Sequence, residues 1–251
     1  MSGNISLKLI LFALSIFSSN IYGRLPRLDP DPSPIFIVYH MATINNFDEL
    51  ANEQLQTLDD SGLLEACDNM FVTVVGPHID QARALFQNSI YADKIIVLHD
   101  SVDMNGEFPA LAVVNELADE FADAKILYMH AKGIRHYKGP YEESCRWWRL
   151  YMEYFVIQHW QNCLDALDTA DVCGVLWRIH PRPHFSGNFW WARASYIRTL
   201  APLPKPYLFD NRMDCEFFVG RNPRVRVKEF HNFGNDVPYE INITPDMYRY
   251  D

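Results

Sequence analysis

Pro34-Ile35-Phe36-Ile37-Val38-Tyr39-His40-Met41-Ala42-Thr43 opens with an unbroken apolar run rich in β-branched and aromatic residues. A strand with one wet face alternates apolar and polar residues. An unbroken run instead marks a strand covered on both faces, as in parallel sheets. His40 to Thr43 then forms the loop at its carboxyl end. Three more runs of this kind follow: Met70 to Val75, ended by Gly76-Pro77; Lys94 to Leu98, ending in His99-Asp100; and Lys125 to His130. Helical spacing separates them, over Phe47 to Leu64, Asp80 to Phe86 and Phe108 to Phe121, the last with Leu111, Val114 and Leu117 on one face. Alternating strands and helices predict an α/β domain with a mostly parallel mixed sheet and helices on both faces. Such sheets bind ligands beyond the carboxyl ends of their strands. The positions to watch are therefore His40–Thr43, Gly76–His78, His99–Ser101 and His130–Gly133.

Past Gly133 the pattern changes. Glu142 to Leu167 reads as one long aromatic helix, Asp171 to Trp177 as a strand, Asp210 to Val219 as a helix and Val225 to Phe230 as a last strand. Between them lies His184-Phe185-Ser186-Gly187-Asn188-Phe189-Trp190-Trp191-Ala192. In a strand the two indoles point to opposite faces. One would pack in the core and the other could line a cleft, where a flat hydroxylated ligand such as a sugar can stack. Gly187 lacks a Cβ, so a ligand or another backbone can come close there. The competing reading is a buried turn with two core tryptophans.

The 251 residues are 49% hydrophobic and 22% charged, which suits one domain with a sizeable core. A net charge of −10 argues against a general nucleic-acid binder. Lys8 precedes the apolar run Leu9 to Phe17, so residues 1–23 read as a secretory signal or, if uncleaved, an anchor; only the anchor would touch a membrane. Either reading sends the chain into the secretory pathway, to a lumenal or extracellular space. Residues 24–34 form a Pro-rich linker and 35–251 the folded domain. Five cysteines show no CxxC spacing. In an oxidising lumen one or two disulfides are expected, with the pairing open.

Three segments together, Tyr128-Met129-His130-Ala131-Lys132-Gly133, Trp148-Arg149 and Ser186-Gly187-Asn188-Phe189-Trp190-Trp191, resemble a group of glycosyltransferases with the GT-A fold related to the bacterial rhamnan-synthesis protein F family. The likeness covers most of residues 34–231, with Ala131 in place of the usual threonine. It implies a single GT-A-like (Rossmann-like) domain. It also implies transfer of a hexose or deoxyhexose from a nucleotide-sugar donor to a hydroxyl acceptor such as a glycan. Many GT-A enzymes hold Mn²⁺ or Mg²⁺ on the donor diphosphate through an Asp-x-Asp motif after the fourth strand. Here that position is His130-Ala131-Lys132 and offers no carboxylate for a hard cation. Lys132, Arg135, His136 and Lys138 crowd the same stretch, and Arg146 and Arg149 follow. These cations are expected to hold the departing diphosphate in the metal's place, with His130, Lys132, Arg135, Arg149 and His231 as donor-binding residues. The competing reading is a solvated basic loop. If a divalent metal is required, Asp100 is the leading ligand. His180 and His184 stand four apart, but Pro181 and Pro183 forbid a helix there, so His184 is expected to make a hydrogen bond that shapes the turn.

His40, Met41, Ala42 and Thr43 are expected to meet the nucleotide, and Ser186, Gly187, Asn188, Trp190 and Trp191 the sugar. An inverting transfer needs a carboxylate to take the acceptor's proton. Glu216 sits where the resembling family carries a helix glutamate, with Asp214 second. Two residues apart on a helix they face about 200° apart, so only one should meet the cleft. Alternatively Glu216 pairs with Arg212 on a surface helix. Two other classes stay open: a carbohydrate-binding protein without turnover, and a glycoside hydrolase. The hydrolase would need two carboxylates across the scissile bond, and the tryptophan segment has no adjacent acids.

Overall fold

The four apolar runs become neighbouring parallel strands. In the computed structural model, which describes residues 33–101, 106–201, 203, 213–234 and 238–249 (the side chains of 99–101 excepted), β1 (Ile35–Ala42), β2 (Asn69–Val75), β3 (Ile95–Ser101) and β4 (Lys125–His130) lie in the order β3-β2-β1-β4. The expected signal or anchor, most of the linker and Asp210 to Arg212 fall outside the described residues. α1 (Phe47–Asp60), α2 (Leu63–Ala66), α3 (Ile79–Gln87) and α4 (Phe108–Glu120) make the crossovers. The chain runs from β1 to β3 on one side, then returns to place β4 on the other side of β1. That reversal opens a crevice between the carboxyl ends of β1 and β4, where His40 is paired with His130.

The second half completes the sheet with β5 (Val172–Gly174), β8 (Trp190–Arg193) and β9 (Val227–Glu229), while β6 (Trp177–Arg178) and β7 (His184–Phe185) form a separate ribbon. β8 runs antiparallel to both β4 and β5. Among the described residues the sheet has seven strands, β3-β2-β1-β4-β8-β5-β9, and the α/β, Rossmann-like architecture expected from the sequence is the one observed.

Residues alternate between two cores, one on each sheet face. Ile37, Tyr39, Leu127, Met129 and Trp191 pack on one side, against α1 and α5 (Glu142–Glu153). Phe36, Val38, Ile126, Tyr128 and Trp190 pack on the other, against α4. The tryptophans do point to opposite faces, but both faces are covered. Each indole is 0% exposed, so the expectation that one lines a cleft is corrected. A buried indole N–H needs a partner. Trp190 Nε1 donates to Asn188 Oδ1 at 2.8 Å and Trp191 Nε1 to the Val156 carbonyl at 2.7 Å.

Val156 explains a second difference. The long helix expected over Glu142 to Leu167 is broken into α5, a π-helical turn at Tyr154–Gln158 and α6 (Trp160–Ala166). The wide turn carries the carbonyl that takes the Trp191 indole. All five cysteines are buried and free, so the expected disulfides do not form. They sit on separate elements. Even where two come near, the Cys173 thiol donates to the Cys163 carbonyl at 3.6 Å instead.

Asp171 ties β8 to β9. Its carboxylate accepts from the Arg226 backbone N–H (2.9 Å), from Arg226 Nη2 (2.8 Å) and from the Arg193 guanidinium. Burial pushes its pKa up, but the hydrogen bonds from Arg226 and Arg193 outweigh this and hold it at about 2. A depressed carboxyl contributes stability that is present above its unfolded value of about 4 and is lost as pH falls through the folded value. Asp171→Asn is therefore expected to cost about 1–3 kcal/mol at pH 7. Acid titration followed by circular dichroism should show the gap to wild type closing as the pH falls from 4 towards about 2.

Candidate functional site

The crevice beyond β1 and β4 is a cavity of 280 Å³. Alternation along β1 chooses its first lining residues. His40 and Ala42 face it, whereas Met41 turns into the core and Thr43 into a turn, donating to the Val75 carbonyl (3.2 Å) and accepting from the His78 N–H (2.9 Å). Only half of the expected nucleotide loop therefore reaches the site.

After β4 the chain folds back on itself. The Lys132 N–H donates to the His130 carbonyl at 2.7 Å, and Gly133 takes φ +94°, the left-handed region that a glycine enters without strain. Lys132, only 8% exposed, is laid along the cavity wall. Its ammonium sits 3.7 Å from the centroid of the Trp148 ring and 5.6 Å from that of Tyr239, close enough for both faces to hold the charge. Arg135 and His136 line the same cavity. His130 Nε2 lies 3.0 Å from the Gly187 carbonyl. A carbonyl only accepts, so Nε2 carries the hydrogen. Burial holds the His130 pKa below its ordinary value, although Glu107 pulls the other way.

Among the described residues two carboxyls face this cavity, one of them expected from the sequence. Glu216, on the short helix α7 (Met213–Glu216), lines it as expected. Burial first, and the charge of Glu107 second, push its pKa up to about 7 against the pull of Lys132. Glu107, just before α4, belongs to no sequence motif. Its Oε2 accepts from the Tyr128 hydroxyl and from Asn188 Nδ2, both at 2.6 Å. Burial disfavours its charge, but nearby His130 and His40 and these two hydrogen bonds outweigh it and hold its pKa below the usual range.

The other expected site residues are elsewhere. Asp214 pairs with Arg182 at 3.0 Å. Of the two helix acids, then, only Glu216 meets the cavity. Arg149 is buried in a pair with Glu53 (2.7 Å) and Glu153 (3.4 Å), beside Gln54, which donates to Glu153 at 2.9 Å. Its charge is spent inside the fold, not in the cavity. His231 is tied to the Tyr151 hydroxyl at 2.9 Å and stacks on Phe155. The Ser186 N–H donates to the Leu176 carbonyl at 2.9 Å. At Gly187 (φ +93°) a Cβ would come 2.5 Å from Met152 Sδ and 3.0 Å from Trp148, so this glycine admits α5, not a ligand. Asn188 is fully buried with both ends of its amide engaged. None of Ser186, Gly187, Asn188, Trp190 and Trp191 lines the cavity. His184 does shape its turn, sharing a 2.7 Å hydrogen bond with the Arg182 carbonyl. The Asp100 side chain lies outside the described residues, among which no group of three or more metal-ligating side chains forms.

Fold and cavity define an α/β protein with a charged crevice at its topological switch point. The chain belongs to the family described as Domain of unknown function (DUF8361), whose model matches residues 36–236. No curated protein matches it. Among solved structures it is similar to a 4-diphosphocytidyl-2C-methyl-D-erythritol synthase from Anaerococcus prevotii DSM 20548, at 8% identity and a TM-score of 0.44, covering 86% of this chain and 96% of that one. A second structure of a 4-diphosphocytidyl-2C-methyl-D-erythritol synthase is similar at 12% identity and a TM-score of 0.37, with the same coverage.

Proposed function

We propose that the protein transfers a sugar from a nucleoside-diphosphate donor to a hydroxyl acceptor. One observation carries the reading: a carboxyl with a pKa of about 7, Glu216, shares a cavity with a nearly buried ammonium, Lys132. A base poised near neutrality can take the acceptor's proton. The acceptor oxygen then bonds to the anomeric carbon as the bond from that carbon to the diphosphate breaks. The nucleoside diphosphate leaves with the electron pair, and Lys132 and Arg135 stabilise its charge. His40 and Ala42 stand where the donor's nucleotide would enter. With Trp190 and Trp191 in the core, the aromatic surface for the sugar is Tyr239. It lines the cavity, with the 44%-exposed Tyr141 ring 5.6 Å away.

A thermal-shift panel of UDP, GDP and dTDP sugars, with and without EDTA, tests this. The correct donor should raise the melting temperature in both buffers. Lys132→Ala should weaken that donor about 10- to 100-fold, the worth of a hydrogen bond to a charged group. Donor binding only with Mn²⁺ would overturn the cation assignment and return attention to Asp100. Release of free sugar from a glycan with no nucleotide present would move the reading to hydrolysis, for which Glu107 and Glu216 supply the two carboxyls.

A further inference from the structure

We propose that Glu107 is a positioning residue for Glu216, and that Trp190, Asn188 and Tyr128 serve to hold it as a fixed negative charge against the same cavity. This deepens the reading of Glu216 as the base by naming what sets its protonation.

The chain of contacts starts at an indole. Trp offers only a donor, so Trp190 Nε1, 2.8 Å from Asn188 Oδ1, settles which end of the amide faces which way. The opposite end, Nδ2, must then point at Glu107 Oε2, 2.6 Å away, and it also reaches the carbonyl of Cys215 at 3.4 Å. A flipped amide would put an oxygen against the carboxylate and lose the indole bond. Asn188 adopts φ +57°, a left-handed conformation that asparagine tolerates and most residues do not. The Tyr128 hydroxyl, from β4, donates to the same Glu107 oxygen at 2.6 Å. Glu107 also stands at the N-terminus of the 13-residue helix α4, where negative charge is favoured.

Among the described residues Glu216 has no such support: no donor is hydrogen-bonded to it. Two like charges facing one cavity cannot both ionise cheaply, and the proton goes to the partner with fewer donors. Among the described residues the other charged or titratable groups that meet the cavity are His40 from β1, His130 from β4, Lys132, Arg135 and His136 from the loop beyond it, and Tyr239 from the C-terminal segment. Lys132 favours the charged form of Glu216, so the effect of Glu107 is exerted against it. Cys215 and Asp214 flank Glu216 on its own helix, and Asp214 is occupied by Arg182. Cys215 is a buried thiol whose pKa is pushed up, so it stays neutral.

The test is a titration that needs no substrate. The full chain is labelled with ¹³C-glutamate, the Glu216 carboxyl signal is assigned by its loss in Glu216→Gln, and its midpoint is followed with pH. Wild type is expected near the value of about 7. Glu107→Gln should lower the midpoint by about one unit. Trp190→Phe keeps an aromatic ring but removes the N–H, and should lower the midpoint less, in the same direction. Tyr128→Phe asks the same question if Trp190→Phe does not fold. An unchanged midpoint in Glu107→Gln overturns the proposal while leaving sugar transfer untouched. A shifted midpoint in a protein that transfers no sugar upholds it and sinks the transferase reading alone.

Discussion

Glu216→Gln is expected to lower sugar transfer by about 10²- to 10⁴-fold, the usual worth of a positioned general base, with donor affinity unchanged. Glutamine keeps the shape and loses the proton acceptor. The cavity wall of His40, Lys132 and Arg135 is left in place, so the donor should still bind. In wild type the rate should rise as pH increases through about 7, because Glu216 works only when ionised. Initial rates from pH 5.5 to 8.5, measured with the donor found in the thermal-shift panel, give that limb directly. In Glu107→Gln the limb should move to lower pH while the plateau is largely kept, which separates a residue that tunes the base from the base itself. Substantial transfer by Glu216→Gln would place the base elsewhere. Asp214 is a poor substitute, since Arg182 already takes its carboxylate at 3.0 Å.

How much of this was legible in the sequence depends on how local each signal is. β1 to β4 could be read because a strand covered on both faces is apolar at every position, and helices of clear period lie between them. Their order then follows from topology, which places His40, His130 and Lys132 at one crevice. The double tryptophan could be read as a strand with opposed side chains. Whether an outward indole meets solvent or a second core depends on α4, a helix some 70 residues earlier in the chain. The π-helical turn at Tyr154–Gln158 leaves the apolar period of its neighbours almost unchanged, so spacing cannot reveal it. Glu107 carries no local signal. It lies in no motif, 81 residues before Asn188 and farther still from Glu216. Its signal exists only once β4, β8 and α4 are assembled. Arg149 failed for the opposite reason. Its basic neighbours suggested a phosphate clamp, but Glu53 and Glu153 reach it from α1 and from its own helix.

Trp191→Ala is expected to cost about 3–5 kcal/mol of folding stability, as for other buried aromatics cut to alanine, and to leave the saccharide affinity of the folded fraction unchanged. The indole is fully buried among Leu127, Met129, Val156 and Cys173, and its N–H is the partner of the Val156 carbonyl in the π-helical turn. Truncation therefore opens a cavity and strands a carbonyl at the same site. For a chain of this size the melting temperature should fall by roughly 6–20 °C. Trp191→Phe should recover much of the packing and none of the hydrogen bond, so it should fall between the two. Urea unfolding reads the stability, and titration with methyl glycosides below the transition reads the binding. An alanine variant as stable as wild type that has lost glycoside binding would put the indole back in the ligand site. It would also break the assignment of the sugar to Tyr239, because Tyr239 lines the cavity, whereas Trp191 is buried in the core and does not.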